Sequence, residues 1–325
     1  MQAYAIQTLN DQVVVSLVER AETALTPTHM RIKMHAASLN RGEFIVGHGL
    51  HGKSNVPQPV GLEGAGTVIE IGAQVTAFAV GDRVMGRCPG AFAPRAIMAQ
   101  NEAMPVPNGL GWEEAAAIPL TYLTAYDAIH EQGLLKAGEW VLINGVTSGV
   151  GVAALQMAKA LGAQVIGTTG SAEKLAKLQG QGLTLAIQSR QANFHDAVMK
   201  ATQNQGVNLV VNTVGGSVFA EDIRCLGFEG RLAMVGYVDG ELSASIDLQA
   251  LHAKRLRLFG VSNKLRNAEQ KAASIPGFMR DIWPALNQGE FRPYIDQVFP
   301  FDQLDQAKNS MQANKHVGKV VVSIP

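Results

Sequence analysis

Trp140-Val-Leu-Ile-Asn-Gly-Val-Thr-Ser-Gly-Val-Gly151 is the stretch on which the reading of the fold turns. Trp140 to Ile143 is a short apolar run that reads as a strand. Asn144 to Gly149 is a polar turn. Beyond it Val150, Ala154, Met157, Ala158 and Leu161 fall on one face of a helix, and Gly162 stands where a helix ends. A tight strand-to-helix turn of small residues presents free backbone N–H groups and the positive end of the helix to a phosphate. In a Rossmann unit this is where a dinucleotide pyrophosphate sits. The strict G-x-G-x-x-G pattern is absent: from Val146 to Gly151 only the last glycine is kept, and Ser148 takes the second position. An ordinary strand-to-helix turn is the competing reading. A nucleophile elbow does not fit, because Ser148 falls one residue late in Gly145-Val-Thr-Ser-Gly149. A Walker A loop does not fit either, since no Gly-Lys-Ser/Thr follows.

Downstream the alternation continues. Gln164 to Ile166, Val207 to Val211, Arg231 to Val235 and Leu256 to Val261 read as strands, with a helix at Ala172 to Gln179. Strands alternating with helices imply a parallel, doubly wound sheet. Upstream the pattern is β-rich. Val13 to Val18, Met30 to Met34 and Gly66 to Gly72 read as strands, and Gly81-Asp-Arg-Val84 as a turn entering another. Glu113 to Ile118 and Tyr122 to His130 read as helices interrupted at Pro119. A last helix, Phe301 to Ala313, precedes a strand, Lys319 to Val322.

The chain has 325 residues, enough for about two domains. Hydrophobic residues make up 47% and charged residues 17%, which excludes a disordered chain. Lys+Arg and Asp+Glu both number 27, so no net charge favours nucleic acid or an anionic membrane. Two cysteines, Cys88 and Cys225, make neither a disulfide framework nor a four-cysteine zinc site. No stretch reads as a membrane span. The start, Met1-Gln-Ala-Tyr-Ala-Ile, lacks the features of a signal peptide. The expectation is a soluble cytoplasmic protein.

The second strand of the α/β region runs to Val165-Ile-Gly-Thr-Thr-Gly-Ser171. An NAD site usually carries Asp or Glu at this tip, bound to the ribose hydroxyls. None stands here. A carboxylate would repel a 2′-phosphate, whereas Thr169, Ser171, Lys174 and Arg190 suit one. The expected cofactor is NADPH. Lys174 as a plain solvated helix residue is the bland alternative.

Further motifs occur in order: Gly61-Leu-Glu-Gly-Ala-Gly-Thr-Val68, Gly81-Asp-Arg-Val84, Leu123-Thr-Ala-Tyr126, Ser148-Gly-Val-Gly151, Val211-Asn-Thr-Val-Gly-Gly216, Gly230-Arg-Leu-Ala-Met-Val-Gly236 and Gly318-Lys-Val-Val321. Together they resemble the medium-chain dehydrogenase/reductase superfamily, in its zinc-independent quinone oxidoreductase branch. The resemblance spans essentially the whole chain. It implies an α/β protein with a GroES-like β-rich catalytic domain, residues 1–118 plus 290–325, and a Rossmann doubly wound parallel-sheet domain, residues 119–289. The cofactor would lie in the cleft between them. It also implies a homodimer or homotetramer, with Leu256 to Ser262 as an interface.

The metal-dependent branch carries a Cys near Ser38 to Arg41 and a His in a Gly-His-Glu motif. Here these segments read Ser38-Leu-Asn-Arg41 and Gly61-Leu-Glu63, so no metal is expected. His48 and His51, three apart in a Gly-rich stretch, lack a patterned third ligand and read as part of a polar loop, His48 to Pro59. Without a Lewis acid, simple alcohol oxidation is hard. A quinone or an α,β-unsaturated carbonyl needs less help, because conjugation carries the charge to oxygen, where hydrogen-bond donors suffice. The resemblance therefore implies NADPH-dependent hydride transfer to such an acceptor.

By the same resemblance Asn40 and Thr124 are the catalytic candidates beside the nicotinamide, Asn40 donating from its amide and Thr124 from its hydroxyl. Ser148, Gly149 and Val150 would meet the pyrophosphate. Thr169, Ser171 and Lys174 would meet the adenosine phosphate end, with Ser189 and Arg190 near the adenine. Val214 and Gly215, then Val235, Gly236 and Tyr237, then Phe259, Val261 and Ser262, follow successive strands at the edge where such sheets bind ligands. Tyr122, Tyr126, His48 and solvent are the possible proton donors. An enoyl-thioester reductase and a non-catalytic NADPH-binding or sensing protein are the alternative functions.

Overall fold

The computed structural model describes residues 1–10, 12–45 and 54–325. His48 and His51 lie outside the described residues. The chain divides into two compact units, one of Met1–Leu120 with Lys264–Pro325 and the other Thr121–Asn263.

The first unit is β-rich. Gln12–Glu19 pairs antiparallel with Gln2–Leu9, which also pairs with Gln58–Pro59. A larger sheet runs in the order Ile295–Pro300, Lys319–Ser323, His29–Ser38, Glu63–Ile71, Arg83–Arg87, Ala103–Pro105, with Arg95–Ala99 also pairing His29–Ser38. The C-terminal strand lies antiparallel to His29–Ser38, with Val321 opposite Ser38 and Ser323 opposite Ala36. That pairing returns the chain's end to the first unit. Alternating inward residues, Met30, Ile32, Met34, Val320 and Val322 among them, make the core.

The return comes earlier than the expected residue 290. Residues 264–289 fold as the short helices Ala268–Ala272, Ile275–Asp281 and Trp283–Gln288 and belong to the first unit. Trp283 Nε1 donates to Pro105 O at 3.1 Å, and Asn108 N donates to Asn287 Oδ1 at 2.8 Å. Pro119 does not interrupt a helix but opens one, Pro119–Tyr126. Its missing N–H is one that a first helical turn leaves unpaired anyway.

The second unit holds a six-stranded sheet. In chain order the strands are β1 (Trp140–Asn144), β2 (Gln164–Thr169), β3 (Leu185–Gln188), β4 (Val207–Asn212), β5 (Leu226–Met234) and β6 (Arg257–Gly260). All pair in parallel, in the order β3-β2-β1-β4-β5-β6. The order reverses between β1 and β4, the switch point of a doubly wound sheet. The helices are α1 (Gly149–Ala160), α2 (Ala172–Lys177), α3 (His195–Ala201), α4 (Gly216–Cys225) and α5 (Leu248–Ala253).

Central strands read as unbroken apolar runs because helices cover both sheet faces. Val141, Leu142, Ile143, Val210 and Val211 are all fully buried. Each such side chain contributes about 1.5–3 kcal/mol relative to exposure. From Gly151 to Ala158 every residue of α1 is buried, so this helix is packed on all sides rather than along one stripe.

Candidate functional site

Parallel register aligns the carboxyl ends of the second unit's strands. Thr168 stands beside Asn144, Asn144 beside Asn212, Asn212 beside Met234 and Met234 beside Gly260. On the other side Thr169 pairs with Gln188. The sequence candidates from Ser148 to Ser262 fall at or just beyond this line.

At the switch point the chain leaves β1 through Gly145, where φ is +71°. A Cβ at Gly145 would come within 2.4 Å of Thr213 Oγ1, and one at Gly151 within 2.4 Å of the Gly145 carbonyl oxygen. Both positions therefore need glycine for close packing. Gly145 N and Val146 N donate to Thr168 O at 3.1 Å, holding the turn against β2. Ser148 caps α1 by accepting from Gly151 N at 3.0 Å, a bond worth about 1 kcal/mol of helix stability. The result is a small-residue turn at the positive end of a helix, shaped for a phosphate.

The next turn gathers the second group. Thr147 Oγ1 and Thr169 Oγ1 are 3.3 Å apart, and Ser189 N donates to Thr169 O at 2.9 Å. Ser171 caps α2, accepting from Lys174 N. Arg190 Nε donates to Gly170 O at 3.1 Å. Ser189 turns away, its hydroxyl donating within its own loop to Gln191 O or Asn193 Oδ1. Thr169, Ser171 and Arg190 therefore stand at one strand tip, with Lys174 in the helix turn that follows. Farther along, Val235 N and Gly236 N both donate to Asn212 O, and Val261 N donates to Met234 O. These bonds draw the third group to the same edge.

The first unit holds a separate polar cluster. Glu63 is fully buried, and its Oε1 accepts from Ser38 Oγ at 2.5 Å, Asn40 Nδ2 at 2.8 Å and Lys319 Nζ at 2.9 Å. Its Oε2 accepts from Leu120 N at 2.7 Å. Lys319 Nζ donates also to Asn40 Oδ1 and Leu39 O, so all three ammonium hydrogens have acceptors. Glu43 Oε1 accepts from Asn40 N and Asn40 Nδ2, while Glu43 Oε2 is buried without a hydrogen-bond partner. Burial pushes the Glu43 carboxyl up to about 8 against the pull of its Asn40 bonds, so it keeps its proton at neutral pH.

This cluster corrects the expected part of Asn40. Both of its amide hydrogens are engaged, with Glu43 and Glu63, and neither is free to donate to a substrate. Thr124 is half-buried on Pro119–Tyr126. Tyr122 is buried and donates to Gln156 Oε1, and Tyr126 stacks on His130. Among the described residues, no group of three or more His, Cys, Asp or Glu side chains is arranged to hold a metal. No helix among them is long and apolar enough to cross a membrane.

Comparison with known proteins assigns the family. Residues 26–136 match the alcohol dehydrogenase GroES-like domain, and residues 149–275 match the zinc-binding dehydrogenase domain. The chain is 30% identical over 305 residues to quinone oxidoreductase-like protein 2 of Bos taurus, covering 92% of this chain and 86% of that protein. This chain belongs to the medium-chain dehydrogenase/reductase superfamily, in its quinone oxidoreductase-like branch. As a member of that superfamily it is an oxidoreductase with a GroES-like domain and a Rossmann-type parallel-sheet domain. It is also 31% identical over 302 residues to the highly reducing polyketide synthase lcsB of Purpureocillium lilacinum, covering 90% of this chain but 12% of the synthase.

 The medium-chain reductase thus corresponds to a small segment of that synthase. Among solved structures it resembles mycobacterial Rv1454c complexed with NADPH, with a TM-score of 0.87 at 26% identity and 100% of each chain covered. It also resembles the CurK enoyl reductase, with a TM-score of 0.82 at 27% identity and 99% of each chain covered.

Proposed function

We propose that this reductase transfers hydride from NADPH to a quinone or an α,β-unsaturated carbonyl without a metal. The observation that carries the reading is the tip of β2. Hydroxyls from Thr169 and Ser171, the Arg190 guanidinium and Lys174 gather there, and no carboxylate lies between Val165 and Ser171. That chemistry suits a 2′-phosphate and not a bare ribose. The glycine cradle at Gly145 and Gly151 fits a pyrophosphate, because a Cβ at either place would push the turn out of shape. The NADPH in the mycobacterial structure supports the same reading.

In this reading Ser148, Gly149 and Val150 hold the pyrophosphate. Thr169, Ser171, Lys174 and Arg190 hold the 2′-phosphate, with Ser189 beside the adenine. Val214, Gly215, Val235, Gly236, Tyr237, Phe259, Val261 and Ser262 line the nicotinamide side of the sheet edge. Bound NADPH supplies the hydride. The chain orients donor and acceptor and keeps water out. Thr124 offers a hydroxyl to the carboxamide or the acceptor. Asn40 has a positioning part, through Glu43 and Glu63. The Tyr122 hydroxyl is committed to Gln156, which leaves Tyr126, His48 and solvent as the candidate sources of the proton that completes reduction.

The metal-free reading rests on chemistry at the position where relatives carry ligands. Ser38 and Asn40 donate to Glu63 Oε1, which also accepts from the Lys319 ammonium, so a positive charge already stands there. The proposed enzyme is cytoplasmic and a homodimer or homotetramer.

A second reading, an enoyl-thioester reductase, is favoured by the likeness to the CurK enoyl reductase. NADPH oxidation measured with a naphthoquinone, an alkenal and a crotonyl thioester separates the two. Turnover of the quinone or alkenal but not the thioester supports the first reading. Turnover of the thioester alone supports the second. NADPH binding with no turnover of any acceptor overturns both in favour of a sensing protein.

A further inference from the structure

The carboxyl edge of the β1–β6 sheet is tied together from beneath by one buried acid. Asp222, on α4, is fully buried, and both of its oxygens accept amide hydrogens. Oδ1 accepts from Asn144 Nδ2 at 2.5 Å, and Oδ2 accepts from Asn212 Nδ2 at 2.8 Å. Asn144, the last residue of β1, accepts from Thr168 Oγ1 at 2.7 Å on its own Oδ1. Asn212, the last residue of β4, donates also to Gly215 O and accepts from Val214 N and Gly215 N. Asn212 thereby uses its full hydrogen-bonding capacity.

One carboxylate thus ties the ends of β1, β2 and β4. Each tied residue leads into a turn: Gly145 to Ser148, Thr169 to Ser171, and Val214 to Gly215. We propose that Asp222 is a positioning residue for dinucleotide binding, fixing the spacing of these three turns without touching the ligand. The inference rests on the dinucleotide reading given under Proposed function.

The donor pattern explains why an acid stands there. Two amide N–H groups converge on position 222, and a carboxyl group offers each an oxygen, although burial raises its affinity for a proton against the pull of those two bonds. A side chain without oxygens would leave both amides unpaired in the interior, where an unmade bond is costly. The asparagines would then turn to other partners and the turns would shift. Small displacements matter, because a site gains its affinity from groups held close to their bound positions.

Isothermal titration calorimetry with NADPH and with NADH tests the proposal on the wild type, on Asp222→Ala and on the double variant Asn144→Asp/Asp222→Asn. The double variant moves the carboxylate to position 144, where it accepts from Thr168 Oγ1 and from the new amide. The oxygen of that amide accepts from Asn212 Nδ2, so every bond of the net is remade. Asp222→Ala should raise the Kd for both dinucleotides by the same factor, about tenfold or more. The double variant should return both to within about threefold of wild type, a rescue that mere loss of packing would not give. Wild-type affinity in Asp222→Ala, a loss confined to NADPH, or a folded double variant that binds no better than Asp222→Ala overturns the proposal. If Asp222→Ala does not fold, the double variant decides alone: retained affinity supports the proposal and lost affinity overturns it. A wild type that binds neither dinucleotide overturns the dinucleotide reading itself, and the proposal with it.

Discussion

Lys319 sets its ammonium 2.9 Å from Glu63 Oε1, across 256 positions of chain. Both side chains are almost wholly inaccessible. The bond joins the C-terminal strand to Glu63–Ile71 through the intervening strand His29–Ser38, so the last residues of the chain are locked into the first unit. Removing one partner of a buried pair leaves the other charge uncompensated.

Lys319→Met should therefore destabilise the protein by about 3–5 kcal/mol. Urea unfolding measures the loss. The double variant Lys319→Met/Glu63→Gln should recover part of it, because no lone charge then remains buried. A loss below about 1 kcal/mol in Lys319→Met, the range of an exposed pair, would remove the buried-pair account.

Glu43 gives a pH dependence with a definite sign. Burial raises its carboxyl from 4.5 to about 8, so the folded state binds the proton more tightly than the unfolded state. The stability from this group is complete below about 4.5 and is lost as pH rises through about 8. Glu43→Gln keeps an oxygen for the Asn40 donors and cannot ionise. Wild-type stability should fall relative to Glu43→Gln as pH rises from about 5 to about 8, within the span between the unfolded and folded values. Parallel urea midpoints across that range would remove Glu43 as the titrating group.

The β2 tip yields a cofactor-discrimination test. Lys174→Glu puts a negative charge in the first turn of α2, beside the proposed 2′-phosphate. NADPH affinity should fall by about tenfold or more while NADH affinity changes little. Equal losses for both dinucleotides would argue against the phosphate assignment.

Much of this was legible in the residues. Trp140 to Gly151 marks the first strand, turn and helix because an apolar run, small residues and a helical stripe follow one another within the reach of local rules. The Asp222 net was not legible. Asn144 lies 78 residues from Asp222, and the parallel register that sets it beside Asn212, together with the packing of α4, brings the three side chains together. Glu63 and Lys319 were equally illegible, because they meet only through the antiparallel pairing of the C-terminal strand and Glu63–Ile71 with His29–Ser38. Asn40 was singled out, but its amide partners depend on Lys319 at the far end of the chain. The return of residues 264–289 to the first unit was missed for a similar reason: it rests on contacts to Pro105 and Asn108, not on a break in local pattern.

Zinc content gives the last test. Zinc requires three or four nitrogen, sulfur or oxygen donors. Of the groups at the corresponding positions, Glu63 is bonded to Lys319, Asn40, Ser38 and Leu120 N, and a cation there would have to displace an ammonium whose three hydrogens are all accepted. Cys88 is buried, and burial pushes its thiol up to about 12, so it stays protonated and ligates poorly. Elemental analysis of purified protein should accordingly find well under one zinc per chain, and chelator treatment should leave NADPH-dependent turnover unchanged. Stoichiometric zinc whose removal abolishes turnover would show that a metal, and not conjugation in the acceptor, carries the developing charge.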